Sequence, residues 1–369
     1  MNILLVYINF GNKSIDDPNI FGGIEMFCQR VYKNLDNVYV CQISVDDNNL
    51  KSSVSRENIS NKILQESKRV NADVIINNFS SGAYTGKTIQ KSHIPIMNII
   101  HDTNMFPSVI SRYNHLCNKG HSVFFVSKFQ KEYYDKMSDR INDSRISFVD
   151  YINPSFCDIR KDIKNIVYDC GTIGRCQKTK NPFLLKEMLR DTKMKSLVLT
   201  STPMIDLNVN SKFEKIHIKY YETAKSYNDV LWDLKHDKVL ENISKCGSYF
   251  STWDMETFGI TALEALSCGV PIILNSHKSG THASEIIPAS KEHYKLIPKN
   301  DKDALVSAIK SFEKVDRKEI QEMTMEKHSL EKWKSHFTNC IDRTIDKFKK
   351  SRGSLNAFMT WQIHQSLVL

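Results

Sequence analysis

Two glutamates, Glu256 and Glu264, stand with seven residues between them in the run SYFSTWDMETFGITALEALSCGVPIILN at 248–275. Its apolar opening, 248–251, predicts a buried strand, and 257–267 predicts a helix with Ala262, Leu263 and Leu266 on one face. Cys268-Gly269-Val270-Pro271 ends that helix, and 272–274 is the next strand. The first turn of such a helix leaves backbone N–H groups unpaired at the positive end of its dipole, a setting that suits phosphate. Glu256 lies before the helix. Glu264 lies inside it, with its Cβ leaning back towards the N-terminus. Two carboxylates are therefore aimed at one phosphate-bearing ligand, and they suit hydroxyl groups, the chemistry of a sugar and a ribose. The plainer alternative is one glutamate favoured by the helix dipole and a second one solvated.

Three other places carry chemistry. Arg175 and Lys180 follow a strand in GTIGRCQKTKNP and can converge on one diphosphate, the arginine as a planar fork and the lysine as a point charge. Lys178 is an alternative cation. His101-Asp102 closes the apolar run 94–100, at the strand end where open α/β sheets bind ligands. A neutral His101 there can hydrogen-bond a sugar hydroxyl, and Asp102 can take or orient an acceptor's proton. A histidine bonded to loop backbone is the competing reading. Gly22-Gly23 opens the first helix and frees amides for a ligand, although the loop 9–21 is too long for a tight dinucleotide turn.

The elements that must hold these residues alternate. Strand candidates fall at 3–8, 38–44, 74–77, 94–100 and 122–126, with helices at 24–35, 61–70 and 128–137. Residues 148–165 read as a connection between domains. A second alternation follows: strand 166–173, helix 182–190, strand 196–200 and helix 229–234, leading into the glutamate junction. Helices at 302–312, 318–325 and 329–350 end the pattern. Alternation of this kind predicts parallel α/β sheets.

Composition sets the outer bounds. A length of 369 residues, 41% hydrophobic and 25% charged, makes two ordinary globular domains. Nine scattered cysteines without a CxxC pair indicate neither a zinc site nor a disulfide framework, so a reduced, cytoplasmic setting is expected. No apolar run reaches the ~18 residues of a transmembrane helix. Asp16-Asp17 and Asp46-Asp47 are loop pairs and not an Asp-x-Asp cation motif, so no metal and no cofactor is expected. The net charge of +9 favours a polyanionic partner.

Glu-x7-Glu, with Phe-Gly after the first glutamate and Ala-Leu-Ser-Cys-Gly-Val-Pro after the second, resembles the retaining glycosyltransferases of the GT-B fold. The resemblance implies two Rossmann-like domains facing across a cleft, 1–152 on the acceptor side and 153–345 holding a nucleotide sugar. A tail at 346–369 would cross back to the first domain. It implies that Glu264 binds ribose hydroxyls and that Glu256 sits by the donor sugar. Amides of Phe258, Gly259 and Ile260 would meet sugar or phosphate, Gly22 and Gly23 would line the cleft, and Arg175 and Lys180 would neutralise the diphosphate. His101 followed by Asp102, together with LENISKCG at 240–247, resembles more narrowly the phage DNA α-glucosyltransferases. That likeness implies a UDP-sugar donor, UDP-glucose first, and 5-hydroxymethylcytosine in double-stranded DNA as acceptor. Arg112, Lys128 and Lys131 are then the candidate DNA contacts. An envelope or capsule glycosyltransferase, and a non-catalytic nucleotide- or DNA-binding relative, are the alternatives.

Overall fold

The computed structural model describes residues 1–9, 14–17, 23–44, 53–78, 88–89, 92–101, 115–140, 149–157, 162–177, 180–202, 221–222, 224–253, 257–276, 286 and 290–366. They divide into two compact units, Met1–Ser155 with Glu331–Leu369, and Phe156–Leu330.

The first unit is built from β1 (Ile3–Asn9), α1 (Gly23–Asn34), β2 (Val38–Ser44), α2 (Ser53–Arg69), β3 (Val74–Asn77), β4 (Ile96–Ile100), β5 (Ser122–Phe125), α3 (Lys128–Arg140) and β6 (Val149–Tyr151). The strands form one sheet in the order β2-β1-β3-β4-β5-β6, every pair parallel. Runs such as VIIN in β3 and IMNII in β4 are buried along their whole length, as strands covered on both faces must be. Leu4, Val6, Ile75 and Ile96 pack with Ile63 of α2 into one core. The strand order reverses at β1/β3, so the crevice at the carboxyl ends of these two strands is the expected ligand position.

The second unit repeats the plan with β7 (Cys170–Ile173), α4 (Leu184–Leu189), β8 (Ser196–Thr200), β9 (Val230–Trp232), α5 (His236–Ile243), β10 (Tyr249–Ser251), α6 (Ile260–Ser267), β11 (Ile272–Ser276), β12 (Tyr294–Pro298), α7 (Lys302–Ser311) and α8 (Arg317–Lys327). Its sheet runs β12-β11-β10-β7-β8-β9, again parallel throughout, and reverses at β7/β10. Cys170, Phe250 and Ile273 from the sheet meet Leu185, Leu305 and Ile309 from the helices in its core.

The long helix α9 (Leu330–Ser366) closes the chain. Trp333, Phe337, Ile341 and Phe348 form its buried stripe at helical spacing. The indole of Trp333 donates to Asn153 O at 3.1 Å, the Phe337 ring lies 5.8 Å from Phe27, and Phe348 stacks on His121 at 5.4 Å. All three partners belong to the first unit. The expected boundary at 345 is therefore corrected: residues 331–345 go with the first unit, because the apolar stripe that docks the helix there starts at Trp333.

Two further expectations are revised. Residues 229–234 form strand β9 and not a helix. Val230-Leu231-Trp232 suits a strand by β-branching and aromatic bulk, and Asp229 and Asp233 at φ 53° and 51° break the backbone on either side. The helix follows it, at His236. Within the expected connection 148–165, residues Val149–Tyr151 are the sixth strand of the first sheet.

Candidate active site

In the second unit the chain leaves β7 at Ile173, and the Gly174 amide donates to Leu199 O at 3.1 Å, fixing the exit of the loop. Arg175 follows, exposed. The amides of Lys180 and Asn181 both return to Gln177 O, at 3.0 and 2.8 Å, making a tight turn that Asn181 completes at φ 38°. Thr252, just past β10, donates its hydroxyl to Lys180 O at 2.7 Å and ties this loop to the neighbouring strand end. The Lys180 ammonium lies 3.0 Å from the centroid of the Trp253 ring. A cation on an indole face is held by the ring quadrupole, worth ~0.5–2 kcal/mol. Asn275 on β11 donates to the carbonyls of Ser251 and Thr252, at 3.3 Å each, so the segment carrying Trp253 is itself braced. A cation is thus fixed at the β7/β10 reversal of strand order, where this class of sheet binds ligands.

Helix α6 begins from the same edge. Gly259 is its N-cap at φ 90°, a conformation natural to glycine, and brings no side chain to cap the first turn. The first amides of a helix have no partner within it, and buried Phe258 anchors the turn that leads into them. Ile260 is the first helical residue. Thr261 shares a 2.8 Å hydrogen bond with the Tyr249 hydroxyl. Glu264 is only 8% exposed, and its Oε1 lies 2.8 Å from Nε2 of His236. His236 was not singled out on sequence, because the segment before it reads as helix and hides the start of α5.

A half-buried arginine holds the ends of these helices. Arg317 of α8 donates to the carbonyls of Gly269 (2.9 Å), Ser244 (2.7 Å), Cys268 (3.4 Å) and Lys164 (3.1 Å). Burial pulls its guanidinium below the usual arginine range. The carbonyls just beyond α5 and α6 thereby share one cation, as favours a helix C-terminus. The Cys268 thiol, directed at Leu240 O at 3.6 Å, adds a second tie between α5 and α6.

In the first unit, His101 stands just past β4 and Asn78 just past β3. The His101 Nε2 bonds to the Asn78 Oδ1, and Phe27 meets the imidazole edge-on at 5.2 Å. Burial pushes the His101 pKa down to about 3, so the ring is neutral at physiological pH. Gly23 opens α1. Lys128 lies 5.4 Å over the Tyr151 ring, and Lys131 is ion-paired with Asp135 at 2.5 Å on the same helix face. Gly22, Asp102, Arg112, Lys178 and Glu256 lie outside the described residues. Among the described residues no cluster of acidic, histidine or cysteine side chains has the geometry of a metal site, and no helix is long and apolar enough to cross a membrane.

The second unit thus offers a fixed cation, a helix start whose N-cap is a glycine, and a buried carboxylate at one sheet edge, which suits a nucleoside diphosphate. Residues 163–327 match the family model for glycosyl transferases group 1. No curated protein sequence matches the chain. Among solved structures, Anabaena HepE in complex with UDP and glucose is similar with a TM-score of 0.67 at 14% identity, over 93% of this chain and 99% of that one. A glycosyltransferase from Rickettsia africae gives 0.61 at 15% identity over 95% and 98%, and the sucrose-phosphate synthase of Thermosynechococcus elongatus gives 0.61 at 14% over 97% and 100%. At such identities the structures speak for the fold, two Rossmann-like domains of the GT-B type. With the group 1 domain over 163–327, the protein is a glycosyltransferase.

Proposed function

We propose that this glycosyltransferase is a retaining enzyme that moves a sugar from a UDP-sugar, UDP-glucose first, to 5-hydroxymethylcytosine in double-stranded phage DNA. The single observation that carries the donor half is Lys180, held over Trp253 at the β7/β10 strand ends beside the start of α6. Arg175, Lys180 and the α6 amides take the charge that grows on the departing diphosphate. Glu264 accepts from the ribose hydroxyls, and Glu256 positions the sugar as positive charge develops at its anomeric carbon. The similar Anabaena HepE, which binds UDP, UDP-glucose and glucose, supports this donor. Because the leaving phosphate oxygen stays on the face of attack, it takes the acceptor's proton, and Asp102 orients the hydroxyl. No metal or other cofactor is required in this scheme.

The acceptor half is supported by the net charge of +9 and by the sequence likeness at His101-Asp102 and 240–247. Cationic side chains follow a DNA backbone, and a base modified on its edge is extruded to be reached. Arg112, Lys128 and Lys131 are the proposed backbone contacts. The test is incubation with labelled UDP-sugars and either plain or hydroxymethylated DNA, with EDTA in a parallel set, followed by nucleoside mass spectrometry. One hexose added to hydroxymethylcytosine, in the α configuration, with UDP released and EDTA without effect, is expected. Replacing Arg175 or Lys180 by alanine should cost roughly 10²–10³ in kcat, the usual worth of a transition-state charge partner. Release of UDP only with lipid- or glycan-linked acceptors overturns the DNA assignment, and undiminished turnover in both variants overturns the donor site.

A further inference from the structure

His101 and Asn78 sit at the carboxyl edge of the first sheet, with Asn78 at the end of β3 beside the β1/β3 reversal. The Nδ2 of Asn78 faces α1, 3.4 Å from Ile24 O and 2.9 Å from the Sγ of Cys28. A carbonyl oxygen only accepts, so the end of the amide turned to α1 is its NH2 group. Burial pushes the Cys28 thiol up to about 12, so it remains protonated and adds no negative charge beside the ring. The other end of the amide, Oδ1, is left for the imidazole, and it too only accepts. The nitrogen bonded to it, Nε2 of His101, must therefore carry hydrogen. In a neutral ring the second nitrogen then holds a lone pair. Among the described residues Nδ1 has no partner, and Phe27 fixes the plane of the ring.

We propose that Asn78 is a positioning residue for His101: accepting from Nε2–H, it locks the imidazole as one tautomer and presents Nδ1 as an acceptor for a sugar hydroxyl. This rests on the reading that His101 lies against the transferred sugar. The opposite tautomer would turn an N–H towards that hydroxyl and leave Nε2 and Asn78 Oδ1 as two acceptors face to face. The choice between the two is made by α1, through Asn78, and not by the histidine's own strand.

The experiment uses the full chain with ring-15N histidine, the His101 resonances being identified by their loss in His101→Gln. Wild-type protein is expected to show Nε2 protonated and Nδ1 bare. In Asn78→Leu the lock is gone, so the tautomers should mix and kcat should fall about tenfold with KM for the donor little changed, the worth of one hydrogen bond realised in the transition state. Asn78→Asp keeps an acceptor at the same place and should retain the tautomer. A wild-type ring protonated at Nδ1, or a tautomer unmoved in Asn78→Leu, overturns the proposal. If the tautomers mix while kcat holds, the lock stands and the placement of His101 against the sugar fails. The wild-type spectrum decides the tautomer even if the leucine variant does not fold.

Discussion

Nε2 of His236, the first residue of α5, lies 2.8 Å from Oε1 of Glu264, inside α6, and the two helices thereby present one carboxylate in one orientation. The pair joins residues 28 apart in the chain, and the carboxylate is about one-tenth exposed. With Oε1 held by the imidazole, Oε2 is without a partner among the described residues, and in the proposed scheme it is the oxygen offered to a ribose hydroxyl.

Replacing Glu264 with glutamine keeps the shape and the hydrogen bond to His236 but removes the charge. A hydrogen bond to a charged group is worth ~1.5–3 kcal/mol, so KM for the UDP-sugar should rise on the order of tenfold or more, with kcat less affected. His236→Ala frees the carboxylate to rotate and should raise the same KM by a smaller factor, with His236→Gln recovering part of it. Initial-rate kinetics with varied donor decide this. An unchanged KM in Glu264→Gln removes the glutamate from donor binding.

Much of this arrangement is readable from the chain, for physical reasons that also explain the rest. Strands such as 74–77 and 196–200 are covered on both faces, so they show as plain apolar runs. The end of α6 is legible because Cys268-Gly269 closes ITALEALS, whereas its start, expected at 257, falls at Ile260 because left-handed Gly259 is the N-cap. Strand β9 is different: it is half-buried along its length at the edge of its sheet, with no burial pattern to mark it, and its few residues mimic a helical turn. Misreading it conceals His236. The His236–Glu264 and Asn78–His101 pairs are long-range contacts, and no local periodicity reports which side chains two separate strand ends bring together. The stripe of Trp333, Phe337 and Ile341 says that α9 packs, not on what; return to the first unit was expected from the resemblance alone, and only for 346–369.

Gly269 gives a stability prediction. Its amide returns to Leu266 O at 2.9 Å and that of Val270 to Ala265 O at 3.0 Å, the paired bonds of a glycine-terminated helix. Its φ is +71°, and a Cβ there would stand 2.4 Å from the backbone oxygen of Arg317. Gly269→Ala incurs both the left-handed backbone penalty and displacement of α8, together about 2–4 kcal/mol. For a unit of this size the melting midpoint should fall roughly 5–15 °C. Differential scanning calorimetry measures it, and a midpoint within a degree of wild type contradicts the packing of α8 against the end of α6.

Lys347 on α9 makes the stability of the first unit depend on pH. Its side chain is buried, and the ammonium donates to His121 O at 3.1 Å. Burial lowers its pKa from 10.5 to about 8, against a smaller opposing effect of Cys117. The unfolded chain therefore holds this proton up to pH 10.5, whereas the folded one releases it from about 8. Between those values the unfolded state binds more protons, so stability rises with pH. Below pH 8 the full cost of burying the charge is present, on the order of 3 kcal/mol. Lysines and tyrosines elsewhere titrate in the same range, so the decisive quantity is the difference between wild type and Lys347→Met. Urea unfolding of both from pH 7.5 to 10.5 should show the wild type gaining on the variant as pH rises. Parallel curves would mean that the ammonium reaches water, leaving α9 docked by its aromatic stripe and by the Arg343–Asp150 and Arg352–Ser92 contacts.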